Sequence, residues 1–190
     1  SPETHRELVQ SAAKNDWFYL FDTFGPGLPY DSREHRRQLG GLIKRSKVFF
    51  ANKAKADREY EIKGQHEVGF RFFEGSAGGA VMVGDPPKTE AFQDLFGWED
   101  AVVELPFHST HATQLLTDLF ADTERMRRAS ANNLIGSLRK HDWAHRWAQI
   151  LGAAAMPHVA SHDARLAQLE EMATSIQSQL ENKTAVVAES

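Results

Sequence analysis

The sequence contains no cysteine, which excludes disulfide bonds, thiolate nucleophiles and cysteine-ligated metal sites. No stretch reaches the roughly 18 apolar residues of a membrane-spanning helix, and the N-terminus lacks the charged and apolar segments of a secretion signal. A large excess of one charge is also missing, since the net charge is −4 over 190 residues. These absences predict a cytoplasmic protein with no nucleic-acid partner and no membrane span.

The sequence instead alternates between helical and strand-like segments. A capping box at Thr4 and Glu7 predicts a first helix, and Asp31 or Ser32 is placed to begin a second. Residues 52–66 are polar and aperiodic, which predicts a loop. Short apolar runs predict strands at residues 17–21, 47–51, 80–83 and 101–105.

The helices predicted between these strands, and everywhere beyond Ser109, complete an α/β pattern. Strands that are apolar along their whole length favour a parallel sheet covered by helices on both faces. The predicted fold class is therefore α/β, a doubly wound parallel sheet with a helical C-terminal extension. Such a sheet normally begins with a strand, so the initial helix predicts that a first strand lies upstream of Ser1. Residues 158–190 are predicted to form a tail helix and a disordered end.

A glycine-rich segment, residues 66–85, carries the clearest chemical signal. Gly69 stands at the start of a predicted helix, where unsatisfied N–H groups and the helix dipole suit a diphosphate. Glu74 lies one turn further along, where a carboxylate can accept hydrogen bonds from the two ribose hydroxyls of a nucleotide. Gly79 suits the C-terminal cap of the same helix.

The run from Gly69 to Asp85 resembles the donor-binding segment of family 4-type GT-B glycosyltransferases, in particular their bacterial spore-maturation-like relatives. The similarity extends to residues 96–98, 101–106 and 141–147. It implies that residues 1–157 form a Rossmann-like nucleotide-sugar-binding domain, the C-terminal lobe of a hexosyltransferase-type enzyme. It further implies a nucleotide diphosphate sugar as donor, no metal or other cofactor, and retention of anomeric configuration. The unknown acceptor is then held by an N-terminal lobe or partner subunit outside this chain.

The same resemblance assigns roles to individual residues. Glu74 matches the ribose-binding carboxylate, and Gly69 and Phe70 match the backbone that approaches the diphosphate. The family's sugar-contacting Glu is replaced by His66, with Glu67 beside it. Either Glu67 substitutes, His66 makes the contact, or the activity has changed; the candidate catalytic residues are therefore His66 and Glu67. Further substrate-binding candidates are Arg71, within the same segment, and Lys53, a possible phosphate partner by its position after a strand.

Other functions receive less support from the sequence. A non-catalytic nucleotide-binding or interaction module remains an alternative, and the replacement at His66 favours it. The sequence does not contain the Gly-x-Gly-x-x-Gly fingerprint of dinucleotide-dependent oxidoreductases, which argues against that class of enzyme. Trp143 and Trp147 lie one helical turn apart and are predicted to be core residues. No metal site is predicted, because no third ligand is evident for any of the histidine pairs with helix-compatible spacing, 108/111, 141/145 and 158/162.

Overall fold

A computed structural model describes residues 1–21 and 31–188 of the chain. Three short strands form one sheet: β1 (Val48–Phe50), β2 (Val81–Gly84) and β3 (Val103–Glu104). The helices in the described residues are α1 (Pro2–Lys14), α2 (Ser32–Ile43), α3 (Glu59–Ile62), α4 (Phe70–Gly78), α5 (Glu90–Phe96), α6 (Ala112–Ala121), α7 (Thr123–Lys140), α8 (Trp143–Ala153) and α9 (Ala160–Ala188).

The sheet is parallel, as the sequence predicts. Its order is β1-β2-β3, with Val48 opposite Val81 and Val83 opposite Val103. Helix α4 lies in the connection from β1 to β2, and α5 lies in that from β2 to β3. A doubly wound sheet requires a reversal of strand order, which the described strands do not contain. The α/β class is thus confirmed, and double winding stays a prediction.

Helices cover both faces of the sheet, as predicted. Because side chains alternate along a strand, Val81 and Val83 enter a cluster on one face with residues of α1 and α6, whereas Met82 enters another with residues of α4 and α5. Burial of each such side chain contributes about 1.5–3 kcal/mol. The members from the helices are Leu8, Ala112, Leu116 and Leu119 on the first face and Phe72, Phe92 and Phe96 on the second.

Helix α7 is anchored at the amino end of β2 through a buried amide side chain. Asn133 is fully buried; its Oδ1 accepts a hydrogen bond from Trp98 Nε1 at 2.8 Å, and its Nδ2 donates to the Ala80 carbonyl at 3.0 Å. The Ser130 hydroxyl donates to the neighbouring Gly79 carbonyl at 2.6 Å. These bonds satisfy carbonyl groups at the turn between α4 and β2, which fixes the position of α7.

The strand predicted at residues 17–21 is wrong. This segment has no regular secondary structure, because its rings pack on helices instead of pairing with the sheet. Trp17 meets Phe120 of α6 edge-to-face, with 5.2 Å between ring centroids, while Phe18 points to solvent. The predicted loop at 52–66 contains the single-turn helix α3. Gly25, Pro26, Gly27 and Pro29, whose residue types predict a loop between the first two helices, lie outside the described residues.

The placement of the two tryptophans in the core is also wrong. Trp143 is 73% exposed and Trp147 is 53% exposed, because α8 turns Ala144 inward instead. The tail helix α9 packs on α7, and buries Leu169 and Ala173. Among the described residues, no helix is long and apolar enough to cross a bilayer.

Candidate functional site

The candidate site lies at the carboxyl edge of the parallel sheet, where ligands of open α/β sheets bind. Asn52 and Lys53 follow β1, Asp85 follows β2, and Pro106 follows β3. The edge is thus built from the ends of all three strands. Polar residues immediately after apolar strands are the sequence signal that identifies such an edge.

Three interactions join the segments that follow β1 and β2. The Lys53 backbone N–H donates to the Asp85 carbonyl at 2.7 Å, and the Asp85 N–H donates to Asn52 Oδ1 at 2.9 Å. The Lys53 ammonium lies 3.3 Å from the Asp85 carboxylate, and the side chains are only 16% and 20% exposed. Lys53 therefore stands at the edge, but its charge is balanced by an acidic neighbour.

The N-terminus of α4 reaches the same edge. Gly69 is the N-cap in an extended conformation, and no side chain caps this helix start. A Cβ atom added at Gly69 would lie 3.7 Å from the Asn52 carbonyl oxygen, so the helix start lies close to the segment that follows β1. The N–H groups of the first turn give this helix start a positive potential. Phe70 in that turn is exposed.

Arg71 and Glu74 are brought together on the next turn of α4. Arg71 Nη1 lies 3.3 Å from Glu74 Oε2, and both side chains are partly exposed. The guanidinium also lies 6.0 Å from the centroid of the Phe49 ring of β1. An exposed ion pair of this kind contributes at most about 1 kcal/mol. Either partner can therefore be recruited by a ligand at small cost.

His66 and Glu67 lie in the segment that leads into α4, and both are exposed. Neither belongs to the Lys53–Asp85 ion pair or to the Arg71–Glu74 pair. Their positions before the helix start leave them free to approach a ligand held by the first turn. The roles assigned to them by resemblance stay predictions.

A cavity of about 170 Å³ opens on the same edge beside Asn52 and Gly84. Its opposite wall includes His5 of α1 and Tyr19, whose hydroxyl lies 3.2 Å from His5 Nδ1. Burial raises the pKa of Tyr19. Sequence reasoning missed both residues, because they reach the edge only through the packing of α1. A larger cavity of about 580 Å³, between β3 and α6, is lined by none of the residues predicted for the site.

One of the histidine pairs has a third potential metal ligand beside it. His158 and His162 lie together with Asp163, which the helical spacing of the histidines did not reveal. This cluster lies at the start of α9, on elements that do not contribute to the carboxyl edge. It is therefore separate from the candidate site.

Comparison with protein-family models identifies a related family. A family model described as "Glycosyl transferase-like" matches residues 4–152, which include the whole sheet, the carboxyl edge and α4. No curated protein and no solved structure matches the chain significantly.

Proposed function

The chain belongs to the glycosyl transferase-like family, and we propose that it is the donor-binding, Rossmann-like lobe of a two-lobed GT-B glycosyltransferase. In this proposal it resembles family 4-type enzymes and their spore-maturation-like relatives. The donor is a nucleotide diphosphate sugar. The acceptor is held by a second lobe or a partner subunit.

One observation carries the proposal: the start of α4, which no side chain caps, lies close to the segment that follows β1, at Gly69 and Asn52. A helix start of this kind suits a diphosphate, because its N–H groups and its dipole both favour negative charge. The Lys53 ammonium lies after the same strand. In the proposal, the diphosphate bridges the first turn of α4, at Gly69 and Phe70, and Lys53.

Glu74 is then placed to bind the ribose. An ionised carboxylate only accepts hydrogen bonds, and the two ribose hydroxyls supply two donors. Binding replaces the exposed contact between Glu74 and Arg71, which frees the Arg71 guanidinium to turn toward the phosphates. A guanidinium binds phosphate oxygens well because its N–H groups form a planar fork.

Transfer breaks the bond between the anomeric carbon and the diphosphate oxygen, and forms one to an acceptor hydroxyl, whose proton passes to the departing diphosphate. The main contribution of this lobe is electrostatic: amides and cations stabilise the charge that develops on the departing diphosphate. His66 and Glu67 are proposed to face the sugar, where one of them takes over the contact made by the family's carboxylate. No metal is required in this scheme.

Calorimetric titration with nucleoside diphosphates tests the binding site. We expect Glu74→Gln to weaken binding by about 1.5–3 kcal/mol, the usual contribution of a hydrogen bond to a charged group. Glu171→Gln on the exposed side of α9 is the matched control and should bind like the wild type. Equal affinities of Glu74→Gln and wild type would remove Glu74 from the site.

A second candidate function is a non-catalytic nucleotide-binding module, which the imidazole of His66 in place of a carboxylate favours. Assays of the full-length protein with a radiolabelled nucleotide sugar separate the two functions. Donor hydrolysis or sugar transfer supports the enzyme. Nucleotide binding without turnover over a panel of donors supports the module.

A further inference from the structure

The junction of α8 and α9 contains a histidine whose two ring nitrogens are in contrasting environments. His162 Nε2 lies 2.8 Å from the Ala144 carbonyl oxygen. A carbonyl oxygen can only accept, so Nε2 carries the proton and Nδ1 of the neutral ring presents a lone pair. Nδ1 is buried and has no hydrogen-bond partner among the residues that the structure describes. A buried unpaired acceptor of this kind indicates a water molecule or an ion that completes the site.

Two further donor groups lie close to the His162 ring. His158 Nδ1 lies 3.0 Å from Asp163 Oδ1, and the centroids of the His158 and His162 rings are 4.7 Å apart. One ligand atom from each of the three residues lies within 4.8 Å of the others. His162 and Asp163 are held by the first turn of α9, where both backbone N–H groups donate to the Val159 carbonyl.

We propose that His158, His162 and Asp163 bind a divalent transition-metal ion of the zinc type, with water in the fourth position. Two imidazoles and one carboxylate form a ligand set that such ions accept, with metal–ligand distances of about 2.0–2.2 Å. Ligand atoms around a tetrahedral ion at those distances are roughly 3.4 Å apart. The ligand atoms are within 4.8 Å of one another, so binding requires the His158 and Asp163 side chains, 33% and 60% exposed, to rotate toward that spacing.

A hydrogen bond from the second ring nitrogen of His162 already orients this ligand. A histidine ligand normally donates its other ring N–H to a carbonyl or carboxylate, which fixes the tautomer and the ring orientation. The Ala144 carbonyl does this for His162. The negative charge of Asp163 offsets the unfavourable placement of a cation near the positive end of α9.

A metal at this position would fasten the segment between α8 and α9 to the first turn of α9, whose His162 contacts the Ala144 carbonyl of α8. Arg165 and Asp142 already connect the same two helices through a contact of 2.7 Å, so the ion adds to an existing junction. All three ligands lie in the C-terminal helical part. The proposal therefore does not depend on the proposed transferase function.

Titration of the metal-stripped full chain with Co²⁺, followed by visible absorption and calorimetry, tests the site. We expect one equivalent to bind, with the intense absorption of four- or five-coordinate Co²⁺. Each of the variants His158→Gln, His162→Gln and Asp163→Asn should weaken binding by more than about tenfold. His108→Gln, which alters an exposed histidine at a distance in the sequence, should bind like the wild type.

The His162→Gln variant also changes the contact with the Ala144 carbonyl and so the packing of α9. Two further measurements separate loss of metal binding from loss of structure. His158 and Asp163 are exposed, and their variants should keep the wild-type circular dichroism. In the wild-type chain, Zn²⁺ should shift the nitrogen resonance of His162 Nδ1 and leave the proton on Nε2. Wild-type binding weaker than about 1 mM, or wild-type affinity in either the His158 or the Asp163 variant, would overturn the proposal.

Discussion

The Lys53 ammonium lies 3.3 Å from the Asp85 carboxylate, and the two residues are also joined by a backbone hydrogen bond of 2.7 Å. Lys53 follows β1, and Asp85 follows the neighbouring parallel strand β2. These two contacts fix the cation beside the ends of β1 and β2. In the proposed function, a cation at this position attracts the diphosphate of the donor.

Replacing Lys53 by Met should weaken binding of nucleoside diphosphates about tenfold, or about 1.4 kcal/mol. The variant loses a positive charge and leaves the Asp85 carboxylate to repel the phosphates. The loss should be small for the uncharged nucleoside. Calorimetry with the diphosphate and the nucleoside measures the contrast. Lys88→Met, in which a 75% exposed lysine is lost from its pair with Glu104, is the control. Equal losses for both ligands would contradict a role of Lys53 in phosphate binding.

Replacing Asn133 by Ala should lower the free energy of unfolding by about 2–4 kcal/mol. The variant leaves the Trp98 N–H and the Ala80 carbonyl without their partner, and each unsatisfied buried group costs about 1–3 kcal/mol. Urea denaturation followed by circular dichroism measures the change. The neighbouring Asn132 makes only a 3.3 Å bond near the surface, so Asn132→Ala should cost less than about 0.5 kcal/mol. Similar losses in both variants would refute the anchoring role of Asn133.

His141 should make the protein less stable at acidic pH. Burial among the rings of Phe73, Phe96 and Trp98 lowers its pKa to about 4. Between that value and the unfolded pKa of about 6.5, the unfolded chain binds the proton and the folded chain does not. Stability should therefore be complete above pH 6.5 and fall as the pH drops toward 4, by at most about 3 kcal/mol given the incomplete burial of the ring.

Urea denaturation at pH 4.5 and pH 7 measures this effect as a difference between variants. His141→Phe should lose less stability than the wild type over this range, whereas His108→Phe, which alters an exposed histidine, should behave like the wild type. Asp100 adds a loss at still lower pH, because its hydrogen bond from Arg125 lowers its pKa. A pH response of His141→Phe equal to that of the wild type would exclude His141 as the source.

Replacing Gly84 by Ala should destabilise the protein by about 1–3 kcal/mol or more. A Cβ atom at this position would collide with the Ala51 carbonyl oxygen at the end of β1 and would approach Asn52 Oδ1 to 2.8 Å. The carboxyl edge must then move apart. Gly40 lies inside α2, and a Cβ atom added there would have no neighbouring atom within 4 Å. Gly40→Ala should therefore stabilise the helix by roughly 0.5–1 kcal/mol. Thermal denaturation compares the two, and an unchanged midpoint for Gly84→Ala would be inconsistent with the close contact.

The sequence by itself determined the class of fold and several local elements. Asp31 caps α2, and α4 ends at Gly79 in the left-handed conformation, as their residue types predict. The apolar strands 81–84 and 103–104 pair in parallel. These features follow from interactions within a few residues and from apolar periodicity. The glycine-rich segment likewise carried the resemblance that agrees with the family match.

Only the tertiary structure decided which residues meet. The aromatic run at 17–21 has the composition of a strand, yet the packing of Trp17 on α6 keeps it out of the sheet. Trp143 and Trp147 have core-like spacing, but α8 is oriented by the burial of Ala144. The Lys53–Asp85 pair and the His158–His162–Asp163 cluster depend on strand register and on helix packing. Such contacts join segments whose relative positions are set by burial over the whole chain, and local sequence patterns do not contain that information.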